Sequence, residues 1–334
     1  MSQEPLKISV VICTRDRPDT VGQALESVAE CDFPSFDVHV MDQSTTNATR
    51  EIVESLAQRF QAKVRLNYHH LEKAGLSRAY NAGARASGGA LIAYTDDDVV
   101  VPRDWLSRIE RAFDADANLG LLFGQVLVPD SLKDVARDGV VVPTFIIEKR
   151  ERFAKGEGFR VCAMGANMAI RRSLLDRVVG FDEALGGGGP LRSSQDFDFA
   201  YRTYVSGMAV LLEPDVKVDH YGTRTEAQWP ATLKAYGIGD GAFYSKHIRC
   251  GDVHALWLFT RRLLHMGARE AKHLLTKGEL KRDQYTLNLI EGVREGSKFA
   301  VDRRTRLYRE TERGKMTVTD ANAVTATQKS DRRV

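Results

Sequence analysis

The chain has 334 residues, 43% hydrophobic and 28% charged, so it can bury a substantial core as an ordinary globular protein. A net charge of +3 is too small to favour nucleic acid as a partner. The cysteines (Cys13, Cys31, Cys162, Cys250) form no C-x-x-C pair, which argues against a zinc site and predicts reduced thiols. With no apolar run of roughly 18 residues and no signal-peptide core at the start, we expect a cytoplasmic protein, with attachment at the inner face of a membrane left open.

The first part of the chain alternates between strand-like and helical patterns. Apolar runs predict four strands, near residues 7–13, 36–41, 64–69 and 90–95. The segments between and after them have helical patterns, near residues 19–29, 49–60, 102–115 and from Ser77 onward. This alternation predicts βαβ units, and therefore an α/β fold with a mostly parallel central sheet flanked by helices.

Beyond Leu119 the pattern loosens. It predicts a strand at 119–128, a polar stretch at 130–155 that could cover a site, and an apolar run at 161–170. A glycine-rich segment, 185–191, is expected to be a flexible loop, and a helix is expected from Gln195 to near Gly207. Two short strands are expected at 209–212 and 216–218.

The composition changes near residue 225. We therefore expect a main domain over 1–224, a helical extension over 225–315 and a polar, disordered tail over 316–334. Between Arg261 and Arg313 there are 14 Lys and Arg against 8 Asp and Glu. Basic amphipathic helices can lie on an anionic membrane surface, and they can equally pack on the main domain with a solvated basic face.

Three carboxylates, Asp96, Asp97 and Asp98, follow the fourth predicted strand. Ligands of open α/β sheets bind at the carboxyl ends of the strands, and a hard divalent cation would relieve the repulsion between these charges. The alternative is a solvated turn in which Asp97 or Asp98 caps the next helix. The triplet alone leaves both interpretations open.

Polar residues also follow the other predicted strands. Thr14 and Arg17 after the first strand, and Asp42 after the second, could contact the base and ribose of a nucleotide. Arg78 could reach a phosphate, for which its planar guanidinium is well suited. Alternatively, Asp42 starts a turn and Arg78 is a solvated helix residue.

The order of these pieces resembles that of the inverting family 2 glycosyltransferases, which have the GT-A nucleotide-binding fold. The resemblance covers about residues 7–222. The matching stretches are residues 8–18, 40–44, 75–83, 95–98, 165–168, 180–183, 195–198 and 214–220.

The resemblance implies a role for several of these residues on the donor side. Asp98 would bind Mn²⁺ or Mg²⁺ directly, His220 would complete the metal shell, and Asp96 would hold the ribose or the metal shell. Asp42 would recognise the base, usually uracil, and Arg78 would contact the donor. The full predicted donor set is Thr14, Arg17, Asp42, Arg78, Asp96, Asp97, Gly165 and Asn167, of which the last two would lie near the transferred sugar.

On the acceptor side, the resemblance makes Asp196 the catalytic base. The residue before it is usually Glu in the family, and here it is Gln195. A glutamine can orient an acceptor hydroxyl but cannot share the role of base. Gln195 and Asp198 are therefore expected near the acceptor.

These expectations describe a metal-dependent inverting glycosyltransferase. It would move a sugar, in the first instance from a UDP-sugar, to a hydroxyl of a glycan, a lipid-linked or a small-molecule acceptor, in glycan, polysaccharide or glycoconjugate synthesis. One alternative is a nucleotidyltransferase that makes sugar nucleotides, which the absence of glycine from residues 14–18 disfavours. Another is a non-catalytic nucleotide-sugar-binding protein on the same scaffold.

Overall fold

The structure is a computed structural model that describes residues 6–134, 140–277 and 284–309. Its contacts divide the chain into two compact units. The first comprises Met1–Phe181 and Phe199–Trp229, and the second comprises Asp182–Asp198 and Pro230–Val334. The sequence placed a single boundary near residue 224, whereas these units also assign Asp182–Asp198 to the C-terminal part. The predicted tail at 316–334 lies outside the described residues.

The helices and strands of the first unit follow the predicted alternation. Its strands are β1 (Ile8–Thr14), β2 (Phe36–Asp42), β3 (Arg65–His70), β4 (Leu91–Asp96), β5 (Val99–Val100), β6 (Leu119–Leu127), β7 (Val140–Val141), β8 (Glu151–Phe153), β9 (Asn167–Arg171), β10 (Ala209–His220) and β11 (Arg224–Thr225). Its helices are α1 (Pro18–Ala29), α2 (Ala48–Phe60), α3 (Leu76–Ala86) and α4 (Trp105–Asp114), and α5 (Gln195–Val205) begins in the second unit and continues here.

The central sheet has nine strands among the described residues, in the order β3-β2-β1-β4-β9-β6-β10-β5, with β8 also paired to β10. The strands β1 to β4, β6 and β10 run in one direction, and β5, β8 and β9 run against them. The predicted mostly parallel sheet flanked by helices is therefore confirmed. Every residue of β1 and β2 is buried, as expected for strands covered on both faces.

The structure corrects the prediction of two short strands near 209–218. This segment is one strand, β10, whose pairing with β6 is interrupted between Glu213 and Lys217. Pro214 lies in that interruption, where its missing N–H leaves no gap in the ladder. His220 is therefore the last residue of one long strand.

Within the described part of the C-terminal region lie three helices, α6 (Trp229–Arg249), α7 (Val253–Lys277) and α8 (Gln284–Ser297), in the segment expected to be a helical extension. The same region also contains a hairpin of β12 (Ala300–Asp302) and β13 (Leu307–Arg309), which was not predicted. No helix among the described residues is long and apolar enough to cross a bilayer.

The glycine-rich loop of the second unit is folded rather than open. The Leu191 N–H donates to the Ala184 carbonyl at 2.8 Å, and the Gly186 N–H donates to the Ser193 carbonyl at 3.2 Å. Leu191 is buried with Phe299 and Tyr308 in a small apolar cluster. These contacts correct the expectation of a flexible loop, because the glycines supply the positive φ angles that this compact turn requires.

Candidate functional site

The site lies where several parallel strands of the first unit end. Register pairs Thr14 of β1 with Asp42 of β2, and Cys13 with Asp96 of β4. β10 runs in the same direction and ends at His220. Because these strands are parallel, their terminal polar residues are brought to one edge of the sheet.

Asp98 and His220 meet because of the two-residue strand β5. The chain turns directly after β4, and β5 pairs antiparallel with the end of β10, matching Val99 with His220. The Tyr221 N–H donates to the Asp98 carbonyl at 2.8 Å. This pairing brings the two side chains together, and Asp98 Oδ1 lies 3.2 Å from His220 Nε2.

Asp96, Asp98 and His220 form a group that could hold a cation. One ligand atom from each lies within 4.8 Å of the others, and in the part of the chain that the structure describes no other such group was found. The His220 Nδ1–H donates to the Pro143 carbonyl at 3.0 Å, which directs Nε2 toward Asp98. A Cβ at Gly222 would lie 2.3 Å from Asp98 Oδ2 and 2.9 Å from His220 Nε2. The space beside both ligands thus exists because residue 222 is glycine, and two carboxylates with one imidazole suit Mn²⁺ or Mg²⁺.

The ionisable side chains of this group shift one another's pKa values. Burial and the neighbouring Asp98 charge raise the pKa of Asp96 to about 7. Burial alone would raise the pKa of Asp98, but His220 and Arg17 bring that pKa below its usual value. Burial alone would lower the pKa of His220, but the Asp98 carboxylate outweighs it and raises that pKa. The carboxylates therefore repel each other, and a divalent cation among them would favour their charged forms.

Thr14 and Arg17 contact the aspartate triplet itself. The Thr14 hydroxyl donates to Asp97 Oδ2 at 2.6 Å, and Arg17 Nη1 donates to Asp97 at 3.2 Å and to Asp98 at 2.9 Å. Thr14 and Asp97 are each 4% exposed. Both side chains therefore shape the turn that presents Asp98, and their contact with the donor stays a prediction. Arg17 is half-exposed and remains at the edge of the site.

Asp42 is fully buried and is held by internal hydrogen bonds. Its Oδ1 accepts from the Ser44 N–H at 2.8 Å, and its Oδ2 accepts from the Tyr68 hydroxyl at 2.9 Å. Burial and this bond raise the pKa of Tyr68 to about 12. Sequence reasoning missed Tyr68, whose signal was its place near the end of the neighbouring strand β3. Asp42 thus orients Tyr68 and the loop after β2, and its contact with the base stays a prediction.

Asn167 is held by internal hydrogen bonds. It is 0% exposed, and its amide donates to the Gln125 and Val216 carbonyls at 2.9 and 3.1 Å. Its carbonyl accepts from the Trp105 indole at 3.0 Å. The side chain thus joins three strands and a helix, and its place near the transferred sugar stays a prediction. Gly165 is buried in the turn that precedes β9.

The remaining predicted residues lie at the beginning of the helices α3 and α5. Arg78 is half-buried in the first turn of α3. Gln195 and Asp196 begin α5 in the second unit, where Asp196 is half-buried and its Oδ1 accepts from the Phe197 N–H at 2.9 Å. Asp198 is 0% exposed and lies 2.6 Å from Lys246 Nζ and 2.9 Å from His247 Nε2. Its carboxylate is thus part of a buried ion pair, and its place near the acceptor stays a prediction.

Comparison with known proteins gives a family match. The model described as glycosyl transferase family 2 matches residues 9–179. Poly(ribitol-phosphate) beta-N-acetylglucosaminyltransferase TarS of Staphylococcus aureus strain Mu50 is 24% identical over 229 residues, which are 67% of this chain and 36% of TarS. Succinoglycan biosynthesis protein ExoM of Rhizobium meliloti strain 1021 is 32% identical over 112 residues, 33% of this chain and 35% of ExoM. The chain thus spans about a third of the length of these curated relatives.

Solved structures resemble the whole fold. Residues 1-349 of S. aureus TarS align with a TM-score of 0.59 at 17% identity, over 87% of this chain and 81% of that one. A mannosyltransferase of Pyrobaculum calidifontis, PcManGT in complex with GDP-Man and Mn²⁺, aligns with a TM-score of 0.57 at 17% identity, over 89% and 87%. At these identities the likeness establishes the GT-A type fold.

Proposed function

Because this chain belongs to glycosyl transferase family 2, a family of enzymes that transfer sugars, we propose that it is a metal-dependent inverting glycosyltransferase. The observation that carries the proposal is the Asp96, Asp98 and His220 group at the carboxyl edge of the sheet. These residues would hold Mn²⁺ or Mg²⁺, which would offset negative charge on a nucleoside diphosphate leaving group. Arg17, half-exposed beside them, adds a second positive charge at that position.

We propose Asp196 as the base. A carboxylate at this position would take the proton of an acceptor hydroxyl while that hydroxyl attacks the anomeric carbon opposite the leaving group. A single displacement inverts the anomeric centre and forms no covalent intermediate. Gln195 cannot share the proton transfer, so the role falls to Asp196 alone.

The proposed donor is a UDP-sugar. One TarS structure similar to this chain is in complex with UDP-GlcNAc, whereas PcManGT is in complex with GDP-Man, so both nucleotides need a direct comparison. In a thermal-shift screen of UDP-, GDP- and dTDP-sugars, we expect a UDP-sugar to raise Tm with Mn²⁺ and to do little without it. Ligand at 100 times Kd stabilises the native state by about 2.7 kcal/mol.

The same screen can contradict the proposal. If no nucleotide shifts Tm under either condition, donor binding is wrong. A product assay then separates the alternatives, because free UDP indicates transfer and pyrophosphate indicates sugar-nucleotide synthesis. Binding with neither product would favour a non-catalytic nucleotide-sugar-binding protein.

We propose a glycan or polysaccharide acceptor, in line with the names of TarS and ExoM.

We also propose that α7 contacts an anionic membrane surface. Trp257, Leu264 and Leu275 are 52%, 70% and 86% exposed. Their spacing places them on one face of α7, and exposed Arg261 and Lys272 flank that face. An apolar stripe beside basic residues is typical of helices that lie on anionic lipid.

Liposome co-sedimentation tests this contact. We expect the chain to bind vesicles containing phosphatidylglycerol and to bind pure phosphatidylcholine weakly. Leu264→Glu with Leu275→Glu should abolish binding, whereas Leu287→Glu, at a 59% exposed leucine of α8, should not. Equal binding by the double variant would exclude α7 as the contact surface.

A further inference from the structure

Two residues just before Asp196 have a backbone conformation that residues with a side chain rarely adopt. Arg192 and Ser194 have φ angles of 70° and 68°, in the left-handed region that favours glycine. Non-glycine residues persist there when surrounding contacts hold them, and such residues cluster at functional sites. The contacts that hold this segment come from α6.

Before Asp196, the anchor is Ser194. Its hydroxyl donates to Asp240 Oδ1 of α6 at 2.6 Å. The other oxygen of Asp240 accepts from the Tyr285 hydroxyl of α8. Asp240 is 7% exposed, so this buried carboxylate is fixed by α8 and in turn fixes the residue two positions before Asp196.

After Asp196, the anchor is Asp198. Its Oδ1 lies 2.6 Å from Lys246 Nζ and 2.9 Å from His247 Nε2, both on α6. Lys246 also lies 2.5 Å from Asp182 Oδ2, so one buried ammonium is shared by two carboxylates. The His247 Nδ1 lies 3.4 Å from the Arg306 guanidinium, which can only donate, so Nε2 carries the proton given to Asp198.

The backbone of α6 lies directly against the same segment. A Cβ at Gly239 would lie 2.6 Å from the Ser193 carbonyl carbon and 2.7 Å from Ser194 Oγ. Any side chain at residue 239 would push Ser193 and Ser194 away from the helix. Glycine costs helix stability in the middle of α6, and here it permits the close approach.

We propose that α6 positions the base: Asp240, Lys246 and His247 hold the residues two before and two after Asp196, and so fix the direction of its carboxylate. This inference rests on the proposed role of Asp196. The three α6 residues are positioning residues, since they act through Ser194 and Asp198 and have no contact with the acceptor in this role. Misplacement of a reacting group by about 1 Å can cost 10²-fold in rate, which is why a base on a strained turn needs two anchors.

Ser194→Ala tests the first anchor. It removes one hydroxyl and leaves the rest of the turn unchanged. With Mn²⁺ and the nucleotide sugar that gives the largest thermal shift, we expect kcat for release of the nucleoside diphosphate, with water as acceptor, to fall at least about ten-fold. KM for the donor should stay within about two-fold, because the donor site lies on other residues. Hydrogen exchange of the amides of residues 195–199 should become faster.

Four further variants make the test specific. Asp240→Asn, whose amide can still bond both hydroxyls, should recover most of the rate that Asp240→Ala loses. Gly239→Ala should lower both kcat and Tm, because its methyl overlaps the backbone of Ser193 and displaces Ser194. Ser245→Ala, at another buried serine of α6 that bonds to Tyr308 instead, should leave kcat unchanged.

Wild-type kcat and hydrogen exchange in Ser194→Ala and Gly239→Ala would overturn the inference while the enzyme assignment stood. An equal loss in Ser245→Ala would also overturn it, because general damage to α6 would then explain the result. If Asp196→Asn kept the full rate in the same assay, the base assignment would fail first, and positioning of a base would fail with it.

Discussion

Asp196→Asn is expected to lower kcat by about 10²- to 10⁴-fold, the usual contribution of a general base. The asparagine amide has almost the same shape, and its oxygen can still accept from the Phe197 N–H that bonds Asp196 Oδ1. It cannot take a proton from the acceptor. Donor-dependent shifts in Tm should therefore persist, and only the rate of transfer, measured as release of the nucleoside diphosphate, should be lost.

Asp19→Asn is the matched control, because Asp19 is an exposed aspartate in the first turn of another helix, α1. It should keep the wild-type rate. Gln195→Glu adds a second carboxylate beside Asp196 and should keep transfer while changing its pH profile. Full transfer by Asp196→Asn would show that another group accepts the proton.

Asp98→Asn is expected to abolish the dependence of donor binding on Mn²⁺. Changes that merely affect the orientation of a metal ligand cost about 10- to 100-fold in metal affinity, so the loss of a ligand should cost at least as much. Asp98 also forms the ion pair with His220, so its loss removes the partner that raises the pKa of that imidazole. The measurement is the Tm shift by nucleotide sugar across a Mn²⁺ titration.

The neighbouring Asp97→Asn provides the contrast. Asp97 bonds to Thr14 and Arg17 and lies outside the candidate metal group. We expect it to lower Tm without ligand and to retain the Mn²⁺-dependent shift. The opposite pattern, a lost shift in Asp97→Asn and a retained one in Asp98→Asn, would reverse the assignment of the two carboxylates.

The first half of the fold could be predicted because each of its strands has a recognisable local sequence pattern. β1 is a nearly continuous apolar run, β2 alternates apolar residues with Asp37 and His39, and the structure places their ends within about a residue of the predicted ones. β5 could not be predicted, because two residues carry no periodicity and its pairing partner, the end of β10, lies far along the chain. Pro214 made β10 resemble two strands, since the sequence cannot show that an irregular pairing absorbs it.

The sequence predicts which residues come together at the site better than it predicts the contacts of each residue. Asp96, Asp98 and His220 do come together, as expected for residues at parallel strand ends. The family resemblance places Asp42, Asn167 and Asp198 near ligands, and these roles stay predictions. Their partners, such as Tyr68, Trp105 and Lys246, are distant in sequence, so their burial and internal hydrogen bonds could not be predicted from the sequence.

The antiparallel strand β9 has a consequence for how the chain assembles. β1 to β4 can pair as soon as residue 96 has left the ribosome, but β4 then presents an open edge. Among the described residues β9 links β4 to β6, so this part of the sheet cannot be completed before Asn167–Arg171 has been synthesised. Contacts of such long sequence separation form slowly. His220, at the end of β10, is synthesised later still, so the Asp96, Asp98 and His220 group can form only after most of the first unit has been made.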